Sequence, residues 1–229
     1  MKKLLSAILV SFSLVVLPNS SQAVDLSVSI GASTAQGGYH ATGTETINAT
    51  NGEYNTAAVT EEAGVFEDSH QALFGELNIG DNMTIGAEFA LNDLQTPSNT
   101  NVQCDKTTTK TCSNSTNTAQ ASFSDRVTVY VQARMLGGLY TKIMYHNVNV
   151  ISEESLSTGG AYGDQTIEGL GMGLGYQYDI EDYGLFIRAE VTASAYENVK
   201  AVNTNDVNKV ITITDMYGAE GSIKVGKTF

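Results

Sequence analysis

The chain is short of positive charge. Twelve lysines and arginines stand against 25 aspartates and glutamates, giving a formal net charge of −13. Binding nucleic acid requires Lys and Arg to neutralise phosphates, so that partner class is excluded, and a positively charged anion pore is disfavoured. Cysteine is scarce as well. Only Cys104 and Cys112 occur, both in one polar stretch. An even pair in a secreted chain suggests a local disulfide closing a short loop; a metal site would want more ligands than this segment offers. Long apolar runs are missing after residue 17. No later stretch reaches the roughly 20 residues that a spanning helix needs. Any passage through lipid must therefore be made by a closed barrel, in which every backbone donor and acceptor has a partner.

The single apolar run stands at the start. Lys2 and Lys3 precede Leu4–Leu17, and Pro18 then leads to Ser21-Gln22-Ala23. A basic start, an apolar centre and small residues before a cut mark a secretory signal peptide over 1–23. The run is too short for an anchor helix. Its removal takes away two lysines and no acid, leaving a mature chain of 24–229 with charge −15, expected to form one all-β domain.

What the chain does have is alternation. Eight segments of period two can be marked, near 26–36, 69–79, 83–91, 123–135, 139–148, 166–178, 185–194 and 209–229. In the first, Leu26, Val28 and Ile30 oppose Ser27 and Ser29; in the fourth, Val127, Val129 and Val131 oppose Arg126, Tyr130 and Arg134. In the last, Ile211, Ile213, Tyr217, Ile223 and Val225 share one face, against Glu220 and Lys224. The connections alternate in length. Those near 80–82, 136–138 and 179–184 are short, while those near 37–64, 92–122, 149–165 and 197–208 are long and rich in Thr, Asn, Ser and Gly. This is the layout of an antiparallel up-and-down transmembrane β-barrel of eight strands, with short periplasmic turns and long extracellular loops. A water-soluble sandwich would put its polar faces in water. Here those faces carry glycines in the sixth strand and bulky Phe74, Tyr130, Tyr140 and Phe186 in others, which suits a crowded interior. Tyr176, Tyr178, Tyr183 and Phe229 near the short turns, with Tyr145 and Tyr217 near the long loops, suit interfacial girdles.

With its signal peptide, eight alternating segments and terminal Phe229, the chain resembles the small outer-membrane barrels of Gram-negative bacteria: the OmpA-type transmembrane domain, OmpW-like and opacity-type porin-like proteins. The resemblance spans the mature chain as a pattern. It implies outer-membrane lipid as the surroundings, and a terminal signal, here Ile223, Val225 and Phe229, read by the barrel-assembly machinery. Lys227 departs from that signal, since an apolar or aromatic residue is usual there; its stem can lie in lipid while its amine reaches water.

The inward parity gathers Glu76, Glu88, Glu190 and Glu220 with Arg134, Lys142, Arg188 and Lys224. Such a balance implies a paired network, because unpaired charge in a narrow lumen is costly. Gly169, Gly171, Gly173 and Gly175 form an inward strip. Large neighbours such as Tyr140, Met144 and Phe186 can fill it and plug the barrel, or it can leave a thin aqueous track. An eight-stranded barrel has room for little more than its own side chains. The function expected is that of a porin-like or structural barrel, passing small solutes slowly at most. The alternative is a surface adhesion protein whose loops, especially the threonine-rich 92–121, meet an extracellular partner. Enzymatic chemistry is not expected. His146 with Ser152 and Glu153 makes a weak Ser–His–acid set, and His40, His70, His146 and Asp68 follow no metal-ligand spacing. The glycines lack the helix and lysine of a phosphate loop. No cofactor is implied.

Overall fold

A computed structural model describes residues 25–48, 58–106, 112–155 and 160–229; the side chains of 58, 101, 103–106 and 112–115 lie outside that description, and so does the expected signal peptide at 1–23. Alternating chains rich in β-branched and aromatic residues favour the pleated state, and strand is what forms. The strands are β1 (Leu26–Ile47), β2 (Ala58–Ile79), β3 (Met83–Ala90), β4 (Leu94–Gln95), β5 (Asn99–Lys106) and β6 (Cys112–Arg134). They continue with β7 (Leu139–Ser155), β8 (Gln165–Ile180), β9 (Leu185–Tyr196), β10 (Val199–Val202) and β11 (Lys209–Thr228).

Eight of these are staves, in the order β1-β2-β3-β6-β7-β8-β9-β11, and β11 pairs back onto β1 from Ser29↔Thr228 upward. Every neighbour is antiparallel. The short β4 and β5 continue the third stave by pairing with β6, and β10 continues the seventh by pairing with β11. Closure removes the unpaired edges that lipid could not satisfy.

The short connections at one end are tight. Gly137, with φ of 71°, sits in the 3-10 turn Leu136–Gly138, and Gly184, with φ of 62°, ends the turn Glu181–Tyr183. A side chain at either would be strained by its own carbonyl. The other end differs from the expectation of long loops. Residues 37–47 and 58–64 are paired strand, as are 99–106 with 112–119 and 149–155 with 118–124. Their polarity alone predicts loops. Threonine is nevertheless a good strand former, so the hairpins run on into a sheet that rises above the apolar belt.

The outer face confirms which parity meets hydrocarbon. Ile30, Leu73, Ile85, Val129, Ile143, Met172, Ile187 and Val225 are all exposed, Met172 at 70 %. A soluble protein does not present a continuous apolar band of this kind. Tyr176, Tyr178, Tyr183 and Phe229 are exposed toward the short-turn end, where ring and hydroxyl can straddle an interface.

Candidate functional site: the filled lumen

Tight closure drives the inward side chains into one column, which divides into layers. Nearest the short turns lies a hydroxyl and amide layer. Asn78 donates to Ser29 at 2.8 Å and accepts from Thr84 at 2.9 Å, and Ser29 meets Thr228.

Above it comes the ionic layer. Arg188, on β9, grips Glu76, on β2, with both terminal nitrogens, while its Nε donates to Gln177. Tyr130 donates to the same carboxylate at 2.7 Å. Lys142 reaches both oxygens of Glu190, at 2.9 and 3.2 Å, and Tyr140 donates to Glu190 at 2.9 Å. Lys224 pairs with Glu88 and lies 3.6 Å from Glu190. Rings finish the packing: Lys142 Nζ sits 4.0 Å from the Tyr130 centroid, and the Arg188 guanidinium 4.3 Å from that of Phe186. Each carboxylate thus meets a base and a hydroxyl donor, Arg188 and Tyr130 at Glu76, Lys142 and Tyr140 at Glu190, Lys224 and Ser33 at Glu88, the condition under which buried ion pairs are tolerated.

The fourth pair departs from expectation. Arg134 sits at the short-turn end, partly exposed, 3.3 Å from Asp179, and joins the central network only through Gln177, which bonds both Asp179 and Arg188. Its expected place is taken by Arg126, which pairs with Glu220 and contacts His70; Tyr39 also donates to Glu220 at 2.8 Å. The central column thus holds Glu76, Glu88, Glu190 and Glu220 against Arg126, Lys142, Arg188 and Lys224. Among the described residues, only Ser124 Oγ, Gln132 Oε1 and Ser222 Oγ are buried polar side-chain atoms without a partner, so the network is nearly complete.

The glycine strip is occupied by its neighbours. A β-carbon at Gly175 would run into the Tyr140 ring, and one at Gly169 into Tyr196. At Gly171 it would lie 2.9 Å from Met144 Cε and 3.0 Å from His146 Nε2, and at Gly173 3.0 Å from Thr192 Cγ2. The glycines are needed because other side chains lie across them.

Beyond Arg126 the filling changes character. Val148, Val150, Ile167, Val199 and Met216 form a buried apolar cluster, with Ala41, Phe123, Tyr196 and Ile213 packed against it. Phe66 stacks between Tyr39 and Phe123, with centroids 5.1 and 5.9 Å away. The cavity at this level measures about 40 Å³, against about 150 Å³ for an engineered apolar cavity that takes up benzene. This second, apolar plug was missed in the sequence. Two β-bulges build it. Asp125 and Asp215 have φ of 49° and 53°, and register slips between Ser124 and Val127 and between His40 and Thr42. One extra residue reverses the parity of all that follows. Phe123 thereby comes to lie opposite Val150, and Ile213 opposite Val199, inside the barrel. Ile211 and Ile213, expected on the outer face with Tyr217, are corrected to the inner one.

The histidines are held by polar neighbours. His146 lies 2.9 Å from both Thr128 Oγ1 and Ser194 Oγ, whereas Ser152 bonds Glu154, so the drawn set of His146, Ser152 and Glu153 is not brought together. His40 meets the Asp215 carbonyl at 3.0 Å. Farther out, Tyr162 donates to Glu45 at 3.2 Å; its burial, and then that carboxylate, push the phenol above its ordinary pKa. Cys104 and Cys112 occupy register positions opposite Asn114 and Lys106, and their side chains lie outside the described residues. Phe229 exchanges backbone hydrogen bonds with Val28, and Lys227 Nζ lies 5.2 Å from its ring centroid.

A closed eight-stranded antiparallel barrel with an apolar exterior and a filled polar axis belongs to the class of small transmembrane β-barrels. No family model matches the chain, and no curated protein matches it by sequence. Among solved structures it is similar to the outer membrane protein OprG from Pseudomonas aeruginosa, with 14 % identity, 87 % of this chain and 96 % of that one covered, and a TM-score of 0.47. It is similar also to Neisserial surface protein A, with 11 % identity, 91 % and 100 % coverage and a TM-score of 0.41. A third is Ail, the attachment invasion locus protein of Yersinia pestis, solved with the heparin analogue sucrose octasulfate. It shows 12 % identity, 87 % and 99 % coverage and a TM-score of 0.40.

Proposed function

We propose that this chain is a structural, porin-like barrel of the Gram-negative outer membrane, plugged along its axis and carrying a β-sheet platform at the cell surface. The observation that carries this is the double filling: an ionic layer whose side chains lie across the glycine strip, topped by an apolar layer whose cavity of about 40 Å³ has room for a few waters at most. Solute passage would require both layers to move together. In this reading the leader at 1–23 is removed on export, Ile223, Val225 and Phe229 present the assembly signal, and Cys104 and Cys112 staple the tip of the β5–β6 hairpin. The chain needs no cofactor and performs no catalysis.

Surface interaction through the platform is the second role, favoured by the paired strands of β1, β2, β5 and β6 that continue beyond the belt. Such an extension adds nothing to sealing the membrane. The test of the plug is planar-bilayer recording on the purified, heat-modifiable barrel. The expected record is a quiet membrane with rare small events. Sustained steps typical of an open water-filled pore would overturn the plugged reading.

A further inference from the structure

The barrel wall is continuous through the belt but interrupted above it. The β2–β3 ladder ends at Ala72↔Ala90, while β2 itself continues outward to Ala58, paired there only with β1. Among the described residues the next strands around the wall, β4 and β5, pair only with β6. A gap therefore separates the outer part of β2 from these strands, bridged among the described residues by the Gln95 N–H, which donates to Asp68 Oδ2 at 2.8 Å, and by Asn99 Nδ2, which donates to Glu62 Oε2 at 3.5 Å.

Which backbone groups face this gap follows from the seam just below it. The Gln71 N–H donates to Asn92 Oδ1, its carbonyl accepts from the Leu91 N–H, and the Ser69 carbonyl accepts from Asn92 Nδ2. Odd-numbered residues of β2 thus point their amides toward the gap. The register to β1 has no bulge, and amide direction alternates along an antiparallel strand. Val59, Glu61, Ala63, Val65 and Glu67 therefore offer their N–H and C=O groups there. Among the described residues no strand pairs with this part of β2 on this side and no turn or loop bond reaches these groups.

The charge of this wall is one-sided. From Val24 to Asp105 the chain holds twelve acids and no lysine or arginine. Glu76 and Glu88 are matched by bases inside the lumen, but Glu61, Glu62 and Glu67 are exposed beside the gap. We infer that this edge is a docking site for an extended, cationic polypeptide segment, which adds a strand against β2 through main-chain hydrogen bonds while its lysines or arginines meet the glutamates. An open edge is a template for strand addition, and complementary charge selects the partner. A second copy of this chain is a poor occupant, because two edges bearing the same glutamates would repel.

The inference rests on the platform standing at the cell surface, and the two can be tested apart. Labelling of a Glu61→Cys variant on intact cells by a membrane-impermeant maleimide reports the platform alone. Docking is measured with the purified full-length barrel and a fluorescent peptide of alternating valine and lysine. Three comparisons accompany it: the same peptide N-methylated at alternate amides, a glutamate counterpart, and the variant Ala63→Pro. Because the Ala63 N–H points into the gap, proline there removes one docking donor and spares the ladder to β1. Binding is expected to be saturable, to weaken about tenfold in Ala63→Pro, and to vanish for the N-methylated and glutamate peptides. The N-methylated peptide tests the wild-type protein, so the outcome does not depend on the variant folding. Equal binding of parent and N-methylated peptides would reduce the effect to charge adsorption and overturn the inference. So would no binding at all, or concentration-dependent self-association that blocks the peptide.

Discussion

The two halves of the lumen solve one problem with opposite chemistry. Beside the belt, the space between eight staves is filled by ion pairs; beyond Arg126, it is filled by hydrocarbon. In the lower half the outer face has to be apolar because it meets lipid, so polar residues collect within. Their charge is then tolerable only if each carboxylate is saturated, as Glu76 is by Arg188 and Tyr130. In the upper half the outer face meets water, and the wall can bury apolar side chains inward like a soluble protein. The inversion of the chain's inside-outside pattern marks the level where lipid gives way to water.

That contrast can be broken first in the ionic half. Glu76→Ala strands the Arg188 guanidinium, 2 % exposed, without its counter-charge, and should cost about 3–5 kcal/mol. The loss would be seen as a lowered urea midpoint for the shift in gel mobility of the folded barrel. The paired change Glu76→Met with Arg188→Met should recover most of it, since replacing a buried pair by apolar groups is often close to neutral. If the double variant is as unstable as the single one, the network does more than neutralise itself.

The apolar half comes next. Ile167, 2 % exposed, lies at the centre of the upper cluster, and Ile167→Ala should cost about 2–4 kcal/mol from lost transfer and a residual cavity. Conductance should stay absent, because the ionic layer below is untouched. A variant that opened the pore by this change alone would show that the apolar layer is the true seal.

Much of the lower half was legible in the sequence. Period-two alternation put Ile30, Val129 and Ile187 outside and Glu76, Lys142 and Arg188 inside, because lipid forces each stave to keep one strict parity. The upper half was not legible, for a physical reason. There the strands are wetted outside, so Thr42, Thr44 and Thr46 of β1 read as loop although they pair in full register with β2. Two aspartates then reverse the parity without any glycine or proline to announce it. Arg126 shows the same limit on a smaller scale. It follows the bulge residue Asp125, at the margin where alternation ceases to be clean, and Arg134 looked the better partner only by sitting in a tidier run. A weak signal existed: Phe66 and Val150 continue the inward parity of their staves past the expected ends.

The smallest expected effect tests how the two halves are joined. Asp215 holds φ of 53° at the β11 bulge, and its carbonyl receives His40 Nδ1 at 3.0 Å. Left-handed backbone suits glycine and tolerates Asp, whereas a β-branched residue clashes with its own carbonyl there. Asp215→Val should therefore cost about 1–2 kcal/mol, and Asp215→Gly should stay within about 0.5 kcal/mol of the native protein. Both are measured by the same urea midpoint. If valine were tolerated as well as glycine, the bulge would not be held in this conformation. Ile211 and Ile213 would then be free to return to the outer face, and the apolar plug would lose one of its walls.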